Sequence, residues 1–290
     1  MSKKNKIIGL VFFNPSLRTR LSSQKAAFHL GCDTWTLNID HDSWKIEMND
    51  GDVMDRHSQE HIKEAVGVMS LYCDILGVRT FPGLKNRDSD YKEILFKNIE
   101  NYSHVPIVNL ESATRHPLQS LADAMTIEEC RVPGNPIKVV LSWAPHPKAL
   151  PHSVPNSFIE WISKLPNTDL IITHPIGYEL DKEITKNTNI LYNQEEALKY
   201  ADFIYAKNWS SYTYYGKILC DDTRWMITCE KMDLTNKAKF MHCLPIRRNV
   251  VAEDAVLDSY ISLIFQEAEN RIFASKAIFK RILNASSCCI

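Results

Sequence analysis

The sequence predicts an α/β protein of two domains, each a parallel sheet covered by helices. Apolar, β-branched runs recur along the chain: IIGLVFF at Ile7 to Phe13, DILGVRTF at Asp74 to Phe81, IKVVLSW at Ile137 to Trp143 and DFIYAK at Asp202 to Lys207. Each is followed by a segment with helical spacing, and continuous apolar runs of this kind mark strands buried on both faces. A proline and glycine cluster, RVPGNP at Arg131 to Pro136, interrupts the alternation, which then restarts. The length of 290 residues suits two domains of ordinary size. The expected boundary lies in the proline and glycine cluster, with residues 1–132 before it and 133–266 after it.

Taken in order, the first strand turns through Asn14-Pro15 into a helix from Ser16 to about Leu30, stopped by Gly31, and TWTLNI is a strand. His41 to Asp55 is polar, with Trp44 standing out. A helix from about Gln59 places Ile62, Val66, Met69, Cys73 and Leu76 on one stripe. Arg79 ends the next strand, where open α/β sheets place their ligands. A helix over Asp88 to Tyr102, a strand at Val105 to Leu110 and a helix opened by Pro117 complete the first half. The second half reads as IKVVLSW, a helix at Val154 to Leu165, DLIITH, a short helix after Tyr178, NILY, a helix at Glu195 to Ala201, DFIYAK and KFMHCLP. The last helix, Glu267 to Leu283, sets Ile272, Ser275, Phe279 and Ile282 on one face.

Composition excludes several classes. A formal net charge of −1 gives no footprint for nucleic acid. No apolar run approaches the about 20 residues of a membrane span, and Met1 to Lys6 leads into a strand instead of a signal-peptide core. A cytoplasmic protein is expected, with no membrane partner. The 8 cysteines are scattered, without a C-x-x-C pair, and read as reduced thiols. His57 and His61 stand four apart on the predicted helix without a third ligand nearby, so no metal is expected there.

The stretch FFNPSLRTR, Phe12 to Arg20, carries the clearest chemistry. A strand turning into a helix presents unpaired backbone N–H groups and the positive end of the helix dipole, and Ser, Thr and Arg side chains add donors that match a phosphate. An ordinary helix start with solvated arginines uses much the same letters. SLRTR resembles the phosphate loop of the aspartate and ornithine transcarbamylase family. Further stretches match that family in order: GVRTF with Arg79, HPLQSLAD from His116 to Asp123, HCLP from His242 to Pro245, and EAENR ending in Arg271.

The resemblance implies direct transfer of a carbamoyl group from carbamoyl phosphate to an amine, with no metal or organic cofactor. Carried across residue by residue, it implies that Ser16, Leu17, Arg18, Thr19 and Arg271 hold carbamoyl phosphate, together with Pro117 and Leu118. Thr19, Arg79 and His116 would polarise the carbonyl; Gln119, Cys243 and Leu244 would bind the carbamoyl NH2. ESATRHPLQS, WAPHPKALPHSVPNSF, THPIGYELD, FIYAKNW and HCLPIRRN point to the acylated-ornithine branch. There Glu111, His146, Lys207 and Arg247 would contact the acylornithine, and Trp44 would reach a neighbouring subunit of a homotrimer. The position of Gln59 sorts acyl groups in that branch, being Pro in succinyl and Glu in acetyl enzymes. A neutral amide does not repel a succinyl carboxylate, which favours succinyl over acetyl. A relative that binds carbamoyl phosphate without transferring it is the alternative from another class, and the complete motif set argues against it. The resemblance also implies that the final helix, 267–290, returns to the first domain, and that a further helix precedes the first strand. This chain begins almost at the strand, so either this start is late or a covering helix is lost and apolar surface is exposed.

Overall fold

The computed structural model describes residues 5–287; the Met1 to Lys4 lead and the Cys288-Cys289 pair lie outside the described residues. The chain forms two units, one of Met1–Pro82, Ser89–Leu118 and Arg271–Ile290, the other of Gly83–Asp88 and Gln119–Asn270.

In the first unit the apolar run IIGLVF becomes β1, Ile7–Phe12, buried along nearly its whole length. It is followed by β2, Asp33–Asn38, the two-residue β3, Ile46–Glu47, and β4, Glu60–His61, then β5, Ile75–Arg79, and β6, Ile107–Glu111. The main sheet has the order β2-β1-β5-β6, and its ladders are all parallel. One face packs Ile8, Leu10 and Phe12 against Ala26, Ala27, Leu118 and Phe279. Phe279 lies on the final helix, Ile264–Ser287, whose residues from Arg271 onward belong to this first unit, as the sequence implies. The opposite face packs Val11, Leu76 and Val78 against Ile62, Val66, Phe96 and Ile99.

In the second unit β7, Ile137–Trp143, β8, Thr168–Thr173, β9, Asn189–Leu191, β10, Phe203–Lys207, and β11, Lys239–Met241, form a sheet of order β11-β10-β7-β8-β9, again parallel throughout. Apolar clusters cover both faces, one built on Trp143, Phe158 and Tyr205, the other on Val140, Ile204 and Phe240. Burial on both faces accounts for the unbroken hydrophobic runs.

Two local expectations are corrected. The helix expected over Asp88 to Tyr102 is two helices, Arg87–Lys92 and Ile94–Tyr102, separated by Glu93 in the left-handed region at φ 49. The Glu93 carboxylate accepts from the Ser112 hydroxyl at 2.7 Å and from the Thr114 N–H and hydroxyl, each at 2.8 Å. Those charge-assisted bonds offset the local strain. The helix expected from Gln59 begins at Ile62, because Glu60–His61 first pairs with Ile46–Glu47. His57 is therefore not on a helix, and His61 sits at the helix start, where its ring accepts from the Lys63 N–H. Gly31 ends the helix Arg18–His29 as expected, at φ +69, a conformation that glycine adopts without penalty. No described helix is long and apolar enough to cross a membrane.

Candidate active site

In an open parallel sheet the chain leaves room for a ligand where successive connections run to opposite sides of one strand. In the first unit that switch point lies between β1 and β5, since β1 connects to β2 on one side and β5 pairs on the other. Phe12 and Arg79 are partners at the carboxyl ends of those strands, so the loop Asn14 to Leu17 and the Arg79 side chain emerge together. The guanidinium is buried. Its Nη1 donates to the Asn14 and Pro15 carbonyls, both at 3.1 Å, while Nε and Nη2 donate to Glu111 at 3.0 and 2.9 Å. Arg79 thereby braces the turn ahead of the helix, and its charge is balanced across the sheet by Glu111, the residue opposite it on β6.

His116, also buried, places Nε2 at 3.6 Å from the same Glu111 carboxylate. Pro117 then starts the helix Pro117–Cys130, where a missing N–H costs nothing. The Leu118 side chain is in the apolar core, which leaves its main chain for any ligand contact. At the head of the helix Arg18–His29, Leu17 holds the capping position and supplies no side-chain acceptor. Ser16 is half-buried beside it. Thr19 is buried, and its hydroxyl accepts from Arg271 Nη2 at 2.6 Å. The final helix thus lays an arginine over an uncapped helix start, concentrating positive charge where an anion's oxygens find free N–H groups.

Trp44 is 52% exposed, its indole N–H donating to Glu60 at 2.9 Å. Gln59 is exposed and donates its backbone N–H to the Lys45 carbonyl.

The second unit has its own switch point, between β7 and β10. Trp143 and Lys207 are partners there, and the Ala144 N–H donates to the Lys207 carbonyl at 3.1 Å. Lys207 is only 8% exposed, with no carboxylate paired to it among the described residues. His146, just past β7, accepts at Nε2 from Arg247 Nε at 3.2 Å, which leaves Nδ1 to carry the proton and donate to the Lys148 carbonyl at 2.8 Å. Burial first, then the cations Lys207, Arg247 and Lys148, hold the His146 pKa below its ordinary value, so the ring is neutral near pH 7. A buried lysine, an exposed arginine and a neutral imidazole at one sheet end have the donor chemistry that suits carboxylates.

The loop after β11 runs through His242, Cys243 and Leu244. Leu244 is in the left-handed region, φ 52, and its peptide bond to Pro245 is cis. Its N–H donates to His242 Nδ1 at 2.8 Å. Beneath it, Gln119 Nε2 donates to Asp123 at 2.8 Å and to Glu267 at 3.0 Å. The two carboxyls escaped sequence reasoning. Their signal is the spacing, Asp123 one helical turn beyond Gln119 and Glu267 one turn ahead of Arg271.

The family profile for the aspartate/ornithine carbamoyltransferase carbamoyl-P binding domain matches residues 2–129, and that for the Asp/Orn binding domain matches residues 151–282. The chain belongs to the aspartate/ornithine carbamoyltransferase family. Within this carbamoyltransferase family it is 48% identical over 282 residues to the N-succinylornithine carbamoyltransferase of Bacteroides thetaiotaomicron, covering 97% of this chain and 88% of the relative. It is 38% identical to the N-acetylornithine carbamoyltransferase of Xanthomonas campestris pv. campestris, covering 98% and 89%. Among solved structures, an acetylornithine transcarbamylase complexed with acetylcitrulline superposes with a TM-score of 0.90 at 37% identity, covering 96% of this chain and 89% of that one. A variant of N-acetyl-L-ornithine transcarbamylase with one glutamate replaced by proline, complexed with carbamyl phosphate and N-succinyl-L-norvaline, superposes with a TM-score of 0.89 at 36% identity, covering 96% and 89%.

Proposed function

We propose that this protein transfers the carbamoyl group of carbamoyl phosphate to the δ-amine of N2-succinyl-L-ornithine, forming N-succinylcitrulline and phosphate in arginine biosynthesis. The observation that carries the succinyl assignment is the gap between 48% identity to a succinylornithine enzyme and 38% to an acetylornithine enzyme over similar coverage. Gln59 agrees with it. Solved acetylornithine variants that hold a succinyl ligand each lack one glutamate, and an uncharged amide stands here at the acyl-sorting position.

On this reading the first unit binds carbamoyl phosphate. Ser16, the Leu17 N–H, Arg18, Thr19 and Arg271 hold the phosphate, while Thr19, Arg79 and His116 donate to the carbonyl oxygen as it gains negative charge. Pre-set donors of this kind are worth about 100- to 1,000-fold in rate apiece. Gln119 and the Cys243 and Leu244 carbonyls accept from the carbamoyl NH2. Lys207 and Arg247 take the carboxylates of the acylornithine, with Glu111 and His146 completing its contacts. The neutral δ-amine attacks the carbamoyl carbon, a tetrahedral intermediate forms, and the C–O bond to phosphate breaks. His146 has its Nε2 lone pair engaged by Arg247, so the departing phosphate takes the amine proton. Cys243 forms no covalent intermediate, since direct transfer needs proximity and charge stabilisation only.

The reading includes a cytoplasmic homotrimer in which Trp44 reaches a neighbouring subunit's site, and sedimentation analysis of the wild type and Trp44→Ala checks it. The decisive assay is product formation from carbamoyl phosphate with N-succinylornithine, N-acetylornithine and ornithine side by side. Turnover confined to the succinyl substrate supports the assignment. A preference for acetylornithine overturns the acyl group, and no turnover with any of the three overturns the enzyme reading. Gln59→Glu is expected to weaken succinylornithine selectively by placing like charge beside its carboxylate.

A further inference from the structure

The second unit contains a buried acidic pair whose chemistry the transfer reaction does not consume. Asp123 and Glu267 are both 0% exposed and Gln119 is 1% exposed. The Glu267 carboxylate uses one oxygen to accept from Gln119 Nε2 at 3.0 Å and the other to accept from the His242 N–H at 2.9 Å. Gln119 Nε2 gives its second hydrogen to Asp123 Oδ1 at 2.8 Å. Burial, then the neighbouring Asp123, pushes the Glu267 pKa well above its ordinary value.

This arrangement decides which way the Gln119 amide faces. With Nε2 inward, both of its hydrogens meet carboxyl oxygens. Reversed, its oxygen would face the Asp123 and Glu267 carboxyl oxygens in place of the two N–H bonds. A buried acceptor set against acceptors is unfavourable, so Oε1 is left as the outward atom. Oε1 is buried and has no donor among the described residues. A ligand N–H satisfies it and a methyl group does not.

We propose that Asp123 and Glu267 are positioning residues that fix the amide of Gln119 with its oxygen presented, and that this acidic pair selects a carbamoyl over an acetyl group of the same size. Glu267 serves the other half of the same acceptor set, because its bond to the His242 N–H anchors the strand end from which the Cys243 and Leu244 carbonyls follow. The assignment rests on the function proposed above and deepens it by naming what enforces recognition of the NH2.

The test measures binding of carbamoyl phosphate and acetyl phosphate by titration calorimetry to the wild type, Glu267→Gln and Asp123→Asn. The wild type is expected to prefer carbamoyl phosphate by about 10- to 100-fold, the worth of one buried hydrogen bond made or left unmade. In Glu267→Gln the new amide must keep its oxygen on the His242 N–H, which turns its NH2 toward Gln119. Donor then meets donor, Gln119 reverses, and the preference collapses to about one while acetyl phosphate affinity barely moves. Asp123→Asn keeps an acceptor for Gln119, so it retains the preference.

Equal weakening of both ligands in Glu267→Gln, or an unchanged preference in that isosteric variant, overturns the proposal. So does a wild type that binds both ligands alike, a result that needs no variant to fold. A wild type with the stated preference but no transfer to any acylornithine sinks the functional reading and leaves the positioning assignment standing. Transfer with an unchanged preference in Glu267→Gln does the reverse.

Discussion

Replacing Arg79 by lysine separates its chemical role from its structural one, which alanine cannot do. Glu111 is buried and takes two of the guanidinium's hydrogen bonds, at 3.0 and 2.9 Å. Truncation to alanine leaves that carboxylate without its cation, a loss of about 3–5 kcal/mol against a total stability of about 5–15 kcal/mol. An inactive alanine variant therefore proves little. Lysine keeps the charge but has all its donors on one atom, so it cannot hold Glu111 and also both the Asn14 and Pro15 carbonyls. Loss of one such charge-assisted bond costs about 1.5–3 kcal/mol, less than stranding Glu111, so a folded protein is expected. Because the fork no longer holds a donor on the carbonyl oxygen, kcat is expected to fall about 100- to 1,000-fold. The assay pairs carbamoyl-transfer kinetics with a urea midpoint. The double variant Arg79→Met, Glu111→Gln replaces the ion pair with neutral groups of similar volume and should fold while remaining inactive. Wild-type turnover in a folded Arg79→Lys, or activity in the double variant, refutes the reasoning.

Three further outcomes are expected. Lys207→Met removes a buried ammonium that has no carboxylate partner among the described residues. It should leave the melting temperature unchanged or higher, and raise KM for the acylornithine at least about tenfold, the worth of one charge-assisted bond, with KM for carbamoyl phosphate unmoved. His152 is wholly buried with Nε2 at 2.7 Å from the Ser210 carbonyl, and burial pushes its pKa from 6.5 down to about 4. The folded-state pKa is the lower one, so the contribution is complete above pH 6.5 and is lost as the pH falls toward about 4. It amounts to roughly 3 kcal/mol, and denaturation of His152→Asn across that window should show a flatter pH dependence than the wild type. Gly9 lies against the Trp35 ring, where an added Cβ would come within 2.4 Å of it. Gly9→Ala should lower stability by about 1–3 kcal/mol in a thermal melt, since the ring is also tied by its N–H to the Tyr72 carbonyl.

The parallel sheets were legible because a strand buried on both faces must be apolar throughout, and the helix limits because Pro15 and Pro117 favour starts and Gly31 a stop. Arg79 was legible from its place at a strand end. The break at Glu93 was not, because the groups that favour it, Ser112 and Thr114, lie about twenty residues further along the chain. The β3 and β4 pairing was missed for a similar reason: two-residue strands carry no periodicity to read. Asp123 and Glu267 look like ordinary helix-surface acids in the sequence. Only packing reveals that both are enclosed and meet at the Gln119 amide.

The last helix has a consequence for how the protein is made. Arg271, which meets Thr19, and Phe279, which fills the core beneath β1, follow the whole second unit in the chain. Until they are translated the first unit is a nascent domain with an unfilled apolar face and a Thr19 hydroxyl lacking its arginine. Its strands can pair early, but its core closes only after the whole second unit has been translated. A stop codon anywhere between 133 and 270 therefore yields an N-terminal fragment that is long enough to fold yet missing part of its own interior, a natural client for chaperones.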